Sequence, residues 1–594
     1  VISQQHHLNT EYWMGPEFEQ RRQERLRGED PRATAHAGAR LRVALVYPNT
    51  YYNGMSNLGF QAVFHWLNQH PDCACERVFW PDADELKALQ KESASLCSFE
   101  SRRSITDFDL VAFSLSFEND YLHLPPMFEL MRLPLEAKQR SARDPLVVAG
   151  GICTLMNPEP VAPWFDLFII GEAEVLLPPL IDTLLRDSSR AELLRSLASQ
   201  PGFYVPSLCH PQVDAAGNVS WEVEKGVEFP VQRRWVEDLN TSECRSFVST
   251  RDTAFGDMNL VEVARGCGRG CRFCATGFVY LPPRERDAQT VLEHLGEDIQ
   301  AGETAGLVGA AVSDYSALDR VAGTICAAGA HVSVASLRVD SMTPEQVDML
   351  RDSGQKTISL APEAGSQRLR DSINKHLSAE QIVHAAEMIA AAGIPNLKLY
   401  FLIGLPFEDD VDIHAMLELV EQIRVAWMEQ QRALGRAGTI HLSVNPFVPK
   451  AMTPLQWHSM ASPKVLKGRI GMLRKYVNKS ANIRLQVESV KGAELQGFLS
   501  RADRRGSRVI LAMADGVNLR TACRLNGVDL NAVVYSAHTL EHQFPWYSIA
   551  PGVSRAYLWD EYQRSQTNIL TPPCPEPGHG CIRCGVCAQE ITES

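Results

Sequence analysis

The sequence predicts an α/β protein in three parts: a doubly wound domain, a partial (β/α)6 barrel of TIM type, and a mainly helical C-terminal region ending in a Cys-rich tail. Three observations predict it. Short apolar, β-branched runs alternate with amphipathic helical patterns from Leu41 to about residue 195, and the alternation resumes from Asn259 to about residue 455. A chain of 594 residues is too long for one core, so the two series read as two domains. The cysteines gather in two close-spaced groups, one opening the second series and one closing the chain.

Composition sets the class. An apolar share of 45% and a charged share of 22% are those of an ordinary globular protein. The formal net charge of −13 gives no overall electrostatic footprint for nucleic acid. Two local basic clusters, Arg233-Arg234 and Arg501, Arg504, Arg505 and Arg508, read first as solvated faces, with the second as a candidate RNA patch. No apolar run reaches the roughly 18 residues of a membrane span, and Val1–His7 lacks the charged-then-apolar order of a signal peptide. Clustered cysteines suit metal ligation in a reducing cytoplasm better than a secreted disulfide framework.

The elements follow in order. Residues 1–40 form a polar extension in which no chemistry is legible. Residues 41–195 supply strands at Arg42–Tyr47, Glu76–Trp80, Leu110–Ser116, Leu146–Ala149 and Leu167–Ile170, with a helix near Leu58–Asn68. This is a Rossmann-like pattern, in which ligands sit at the strand C-terminal ends. The loops there contain Tyr51 and Gly54, Ser114, the pair Gly150-Gly151, and Gly171-Glu172-Ala173-Glu174. Residues 196–255 read as a hairpin around Val213–Val219 and a linker.

Residues 256–455 supply six strands, Leu260–Ala264, Gly306–Val312, His331–Ala335, Thr357–Leu360, Asn396–Phe401 and Thr439–Val444, separated by helices such as Ala288–Ala301, Pro344–Ser353 and Ala379–Ala392. A barrel of this kind carries its site at the strand C-terminal ends. The polar motifs fall there: Ser313-Asp314-Tyr315, Glu363 within Ala361–Ser366, Gly404 within Ile403–Glu408, and Asn445–Pro449, while Lys398 and Tyr400 lie on the fifth strand. Residues 456–560 read as mainly helical with a strand near Ile483–Ser489, and residues 561–594 as the Cys-rich tail.

The cysteines carry the chemistry. Cys267, Cys271 and Cys274 have the spacing C-x3-C-x2-C. Three thiolates can hold three irons of a [4Fe–4S] cluster and leave the fourth iron without a protein ligand. Zinc in a structural site asks for a fourth ligand that is not near in sequence. Cys574, Cys581, Cys584 and Cys587 can close either a second [4Fe–4S] cluster or a four-cysteine zinc site, and the tight C-x2-C-x2-C run favours iron–sulfur.

The loop Ala264–Tyr280, with Phe273 immediately before its last cysteine, resembles the cluster loop of the radical S-adenosylmethionine (SAM) superfamily. The resemblance implies that the open iron is chelated by the amino and carboxylate groups of SAM. It also implies that Ser313 and Asp314 hold the SAM amino group, that Glu363 meets the nucleoside, and that the turn at Gly404 supports adenine, with Phe407 in place of the family's second glycine. Lys398 joins this cofactor set, and Lys375 is either a partner of the SAM carboxylate or an exposed helix-end charge.

The first domain resembles the cobalamin-binding domain found ahead of many radical SAM barrels, through Ser114, Gly150, Gly151, Asn157-Pro158-Glu159-Pro160 and the Gly-Glu-x-Glu turn. Where that domain often carries D-x-H-x-x-G, this chain has Asn49, Tyr51 and Gly54, so no histidine ligates cobalt from that position. Either cobalamin binds without it, or the domain serves substrate or interface. The resemblance implies SAM cleavage to a 5′-deoxyadenosyl radical, with cobalamin-dependent methyl transfer to an unactivated carbon as one outcome. An RNA-modifying, methylthiotransferase-like enzyme and a non-catalytic iron–sulfur electron-transfer protein are the alternatives. The implied partners are an unknown substrate and an electron donor such as flavodoxin or ferredoxin.

Overall fold

The computed structural model describes residues 15–31, 38–186, 188–256, 258–296, 301–334, 337–575 and 581–587. Six strands build the first sheet: β1 (Leu41–Tyr47), β2 (Cys73–Phe79), β3 (Leu110–Ser114), β4 (Leu146–Gly150), β5 (Leu167–Ile169) and β6 (Phe203–Tyr204). Their order is β2-β1-β3-β4-β5-β6, parallel except for β6. The order reverses between β1 and β3, the place where a doubly wound sheet opens a crevice. Val43, Ala44, Leu45 and Val46 are all buried, the near-continuous apolar run of a parallel strand covered on both faces.

Helix α1 (Leu58–Gln69) starts where the Asn57 side chain accepts the Phe60 N–H, and it lays Phe60, Phe64 and Leu67 on the sheet. Helix α2 (Ala173–Leu184) covers the same sheet with Leu176, Leu177, Leu180 and Ile181.

The second series of strands forms two parallel sheets. The first holds β7 (Met258–Glu262), β8 (Thr304–Val308) and β9 (His331–Val334). The second holds β10 (Thr357–Glu363), β11 (Asn396–Ile403), β12 (Thr439–Pro446) and β13 (Ile483–Val487). The strand β13, expected near Ile483–Ser489 within the mainly helical stretch, joins this sheet and pairs Ile440 with Ile483 through Val444 with Val487. The helix expected over Ala288–Ala301 runs Ala288–Leu295, and residues 297–300 lie outside the described residues.

Helices α3 (Pro344–Asp352) and α4 (Ala379–Ala391) both start with capping boxes, on Thr343 with Gln346 and on Ser378 with Gln381. Gly365 lets α5 (Asp410–Ala433) dock beside the end of β10, because a Cβ there would lie 2.2 Å from the Met416 backbone.

The first domain is bonded to both other parts. Asn157 donates its amide to the carbonyls of Ser500 and Ala502, Glu159 pairs with Arg504 at 3.0 Å, and Lys450 pairs with Glu118 at 2.6 Å. The Asn157–Pro160 motif is therefore a docking loop. This corrects the reading of Arg501 and Arg504 as part of a solvated or RNA-facing patch, while Arg505 and Arg508 are exposed. Arg501 is buried and donates to the carbonyls of Gln456 and Val533, Arg504 is spent on Glu159, and Arg505 pairs with Asp503. Arg233 is buried too, donating to the Pro551 carbonyl.

Candidate functional site

The cysteine loop leaves β7 through Ala264–Arg265, which pairs antiparallel with Arg284–Glu285. Gly266, at φ +81°, makes the turn: a Cβ would sit 2.4 Å from the Tyr280 carbonyl oxygen, so no other residue lets the loop fold back so closely. Cys267, Cys271 and Cys274 follow, each half-buried, and the loop closes in the short helix Thr276–Val279. Burial pushes the Cys274 thiol up to about 11 and raises that of Cys267. A bound metal reverses this, since a coordinating thiol is deprotonated outright. Among the described residues no three Cys, His, Asp or Glu side chains are drawn tightly enough to hold a metal ion as they stand. The loop provides the donor set, three soft thiols with glycine on either side, which fits a cluster bound on three corners.

An arginine stands in or before each gap between the cysteines, and each ties the loop to a different part of the protein. Arg265 bonds Glu172, Glu174 and Glu262, all at 2.8 Å. Glu172 also receives both nitrogens of Arg284, at 2.7 and 2.9 Å, and the Val236 N–H. Arg286 joins Glu262 at 2.7 Å. Burial opposes the charge on Glu172 and Glu262, yet the arginines hold both carboxyls below the usual carboxylate range.

Arg269 grips Asp314 through two bonds, at 2.8 and 2.6 Å, and Asp340 at 3.3 Å. Arg272 is fully buried, paired with Glu561 at 3.0 Å, and donates to the carbonyls of Ser372 and Ile569. Glu561 lies on helix α6 (Arg555–Gln566) of the C-terminal region.

The expected strand-end residues have these positions. Asp314 borders the loop but is committed to Arg269, with Arg338 3.7 Å away. The Ser313 hydroxyl accepts the Arg338 N–H, a structural bond. Glu363 stands at φ +67° beside a bulge in β10 and pairs with Lys375 at 3.2 Å. Burial raises the Glu363 carboxyl although Lys375 pulls the other way. Lys375 is buried, so it is no exposed helix-end charge. Its neighbour Asn374 donates to the carbonyls of Arg269 and Gly270, which brings the Glu363–Lys375 pair against the loop.

Gly404, at φ +78°, lies against Leu466 and Ala461, and its N–H donates to the buried Glu408, whose other partner is Arg469. Phe273 is half-buried against the core. Lys398 lies five residues before the end of β11, roughly 16 Å below it by strand rise. Its ammonium is over the Tyr400 ring, and its row in the sheet continues to His441 and Arg484.

A cavity of about 550 Å³ separates the first domain from the loop. Its walls include Leu45, Ala62, Trp66 and Val148 from the sheet and α1, together with Arg265, Gly266 and Tyr280 from the cysteine loop. Ser114, Gly150 and Gly151 all line it. Gly151, at φ +110°, is required because a Cβ would lie 2.5 Å from the Leu115 carbonyl oxygen. Tyr51 and Gly54 lie outside the lining. Tyr51 is buried among Phe79 and Phe99, with its hydroxyl on Glu29 at 2.6 Å. Gly54 makes room for the Phe79 ring, 2.6 Å from where its Cβ would be. Both are packing positions. The residues not foreseen are Arg265, Arg269, Arg272, Arg284 and Arg338. A sequence signal existed, in the arginines interleaved with the cysteines, but nothing named their partners.

The model described as radical SAM proteins, N-terminal, matches residues 59–206, and the radical SAM superfamily model matches residues 261–420. An uncharacterized protein of Methanocaldococcus jannaschii is 26% identical over 471 residues, which is 79% of this chain and 90% of that one. The tRNA-2-methylthio-N(6)-dimethylallyladenosine synthase of Ruegeria pomeroyi is 25% identical over 199 residues, 31% of this chain and 45% of that protein. Among solved structures, the cobalamin-dependent S-adenosylmethionine radical enzyme OxsB with aqua-cobalamin bound matches at a TM-score of 0.43 and 14% identity, over 80% of this chain and 66% of that chain.

Proposed function

The chain belongs to the radical SAM superfamily, and on that footing we propose that this enzyme cleaves SAM reductively and uses cobalamin to methylate an unactivated carbon. The observation that carries the cobalamin part is the cavity, whose lining joins Ser114, Gly150 and Gly151 of one domain to Arg265 and Gly266 of the cysteine loop. A [4Fe–4S] cluster on Cys267, Cys271 and Cys274 would supply the electron that cleaves SAM to methionine and a 5′-deoxyadenosyl radical, and cobalamin would supply a methyl carrier.

The chain's own residues bind, orient and exclude water. Lys375, buried next to the loop, offers its ammonium to the SAM carboxylate, and Glu363 beside it offers an acceptor to the amino group or ribose. Asp314 acts through Arg269: it fixes the loop between Cys267 and Cys271 more than it contacts SAM. The Gly404 turn, braced by Glu408 and Arg469, presents backbone groups to adenine. The sheet-side cavity walls are apolar, which suits the planar aromatic base of a cobalamin tail, and no histidine ligand to cobalt is required of Tyr51.

Anaerobic purification from cells supplied with cobalamin tests this. Corrin retained at about one per chain, identified by absorbance and mass spectrometry, supports methyl transfer. Protein that carries iron and binds SAM but retains no corrin removes it.

A further inference from the structure

The tail cysteines are built onto the radical-cluster loop. Cys574 donates its N–H to the Gly268 carbonyl at 2.7 Å, one residue from Cys267. The fit is close enough that a Cβ on Gly268 would lie 2.9 Å from the Cys574 Cβ. The approach to Cys574 is fixed as well. Asn374 accepts the Thr571 N–H at 2.8 Å and donates to the Thr571, Arg269 and Gly270 carbonyls, so one side chain bridges tail and loop. Arg272 reaches the Ile569 carbonyl and the Thr571 hydroxyl from between Cys271 and Cys274.

Cys581 and Cys584 are brought to the same place, with Cys587 three residues further along. Arg583, between Cys581 and Cys584, donates to the carbonyls of Pro572 and Pro573 at 2.9 and 3.0 Å, which clamps their knuckle to the segment carrying Cys574. The Cys584 carbonyl accepts the Ser554 N–H at 2.8 Å, and Val586 is buried against Gly552. Cys574, Cys581 and Cys584 line one small space together with Gly268 and Gly270. Ile582, between Cys581 and Arg583, is 72% exposed, so this knuckle reaches solvent.

We propose that Cys574, Cys581, Cys584 and Cys587 form a second iron–sulfur site that relays electrons to the cluster on Cys267, Cys271 and Cys274. This rests on the radical SAM reading of that loop. Four thiolates leave no open iron, so the site takes no substrate. A place against the Gly268 carbonyl gives a redox group at Cys574 a short path to Cys267. The step is a one-electron transfer. A reduced low-potential donor is oxidised at the exposed side by one electron, the second site carries that electron inward, and the loop cluster is reduced by one electron, with no proton or bond exchanged.

The test compares the wild type with C581S and C587S, reconstituted anaerobically with iron and sulfide. The wild type is expected to hold about eight irons per chain and each variant about four, with a second reduced-cluster paramagnetic signal lost in the variants. SAM cleavage driven by reduced flavodoxin is expected to fall at least tenfold relative to cleavage driven by dithionite. Zinc in place of the second four irons, or eight irons retained in both variants, overturns the proposal, as does an equal fall with both reductants. Failure of the parent reading looks different: the wild type with its full iron would then cleave no SAM with either reductant.

Discussion

Glu172, from the turn that ends the fifth strand of the first domain, holds Arg265 at 2.8 Å just ahead of the first cluster cysteine. The same carboxylate takes Arg284 through two bonds. Two domains thus meet on one buried carboxylate, and Glu172 and Arg265 both line the cavity proposed for cobalamin.

Replacing that carboxylate leaves Arg265 and Arg284 short of their shared counter-charge. Glu172→Ala is expected to cost about 3–5 kcal/mol, the range for removing one partner of a buried pair. Urea unfolding measures it. Glu174→Ala, which removes one of three acids from Arg265 and none from Arg284, is expected to cost less than half as much.

The same contacts set a pH dependence. Glu172 and Glu262 have carboxyls held below their unfolded values, so their contribution to stability is fully present above the unfolded carboxylate range. It is lost as pH falls through the folded values. Stability is expected to drop below about pH 4.5, and Glu172→Gln is expected to flatten that acid limb in unfolding curves taken at successive pH values.

How much of this was legible in the sequence depends on the range of the interaction. The strands β1, β3, β4 and β11 show as apolar runs, and the cysteines show by spacing alone. Strand β13 shows by alternation instead, since at the sheet edge its buried Ile483 and half-buried Leu485 and Val487 alternate with exposed Arg484 and Gln486, within the strand expected near Ile483–Ser489. The clamp on Arg265 joins residues 93 positions apart, and no local pattern encodes it. Tyr51 falls where a cobalt-ligating histidine is often found, yet the helix Tyr51–Met55 turns its ring into the Phe79–Phe99 cluster. Composition marked Arg501 and Arg504 as basic but could not show that Arg501 is buried against backbone carbonyls or that Arg504 is committed to Glu159.

Tyr51 and Gly150 separate packing from cofactor binding. Tyr51→Phe removes a buried hydroxyl bonded to Glu29 and is expected to cost about 1 kcal/mol while leaving corrin retention unchanged. Gly150 lines the cavity, and its nearest neighbour to an added Cβ is Ile169 at 3.7 Å, so the backbone tolerates a side chain there. Gly150→Leu is expected to fold and to lower corrin retention at least tenfold, read by absorbance.

Gly268 tests the seating of the tail. An added methyl meets the Cys574 Cβ at 2.9 Å, and overpacking of this kind costs about 1–3 kcal/mol. Gly268→Ala is expected to loosen the tail and to speed tryptic cleavage after Arg583, followed by mass spectrometry; an unchanged rate would mean that the contact does not hold the tail in place.

The central claim is that the loop of Cys267, Cys271 and Cys274 supports reductive cleavage of SAM. The direct measurement is 5′-deoxyadenosine formed from SAM by the anaerobically reconstituted, dithionite-reduced protein. Product is expected from the wild type and none from Cys271→Ala. Product from Cys271→Ala at the wild-type rate, or none from wild type with its full iron content, would contradict it.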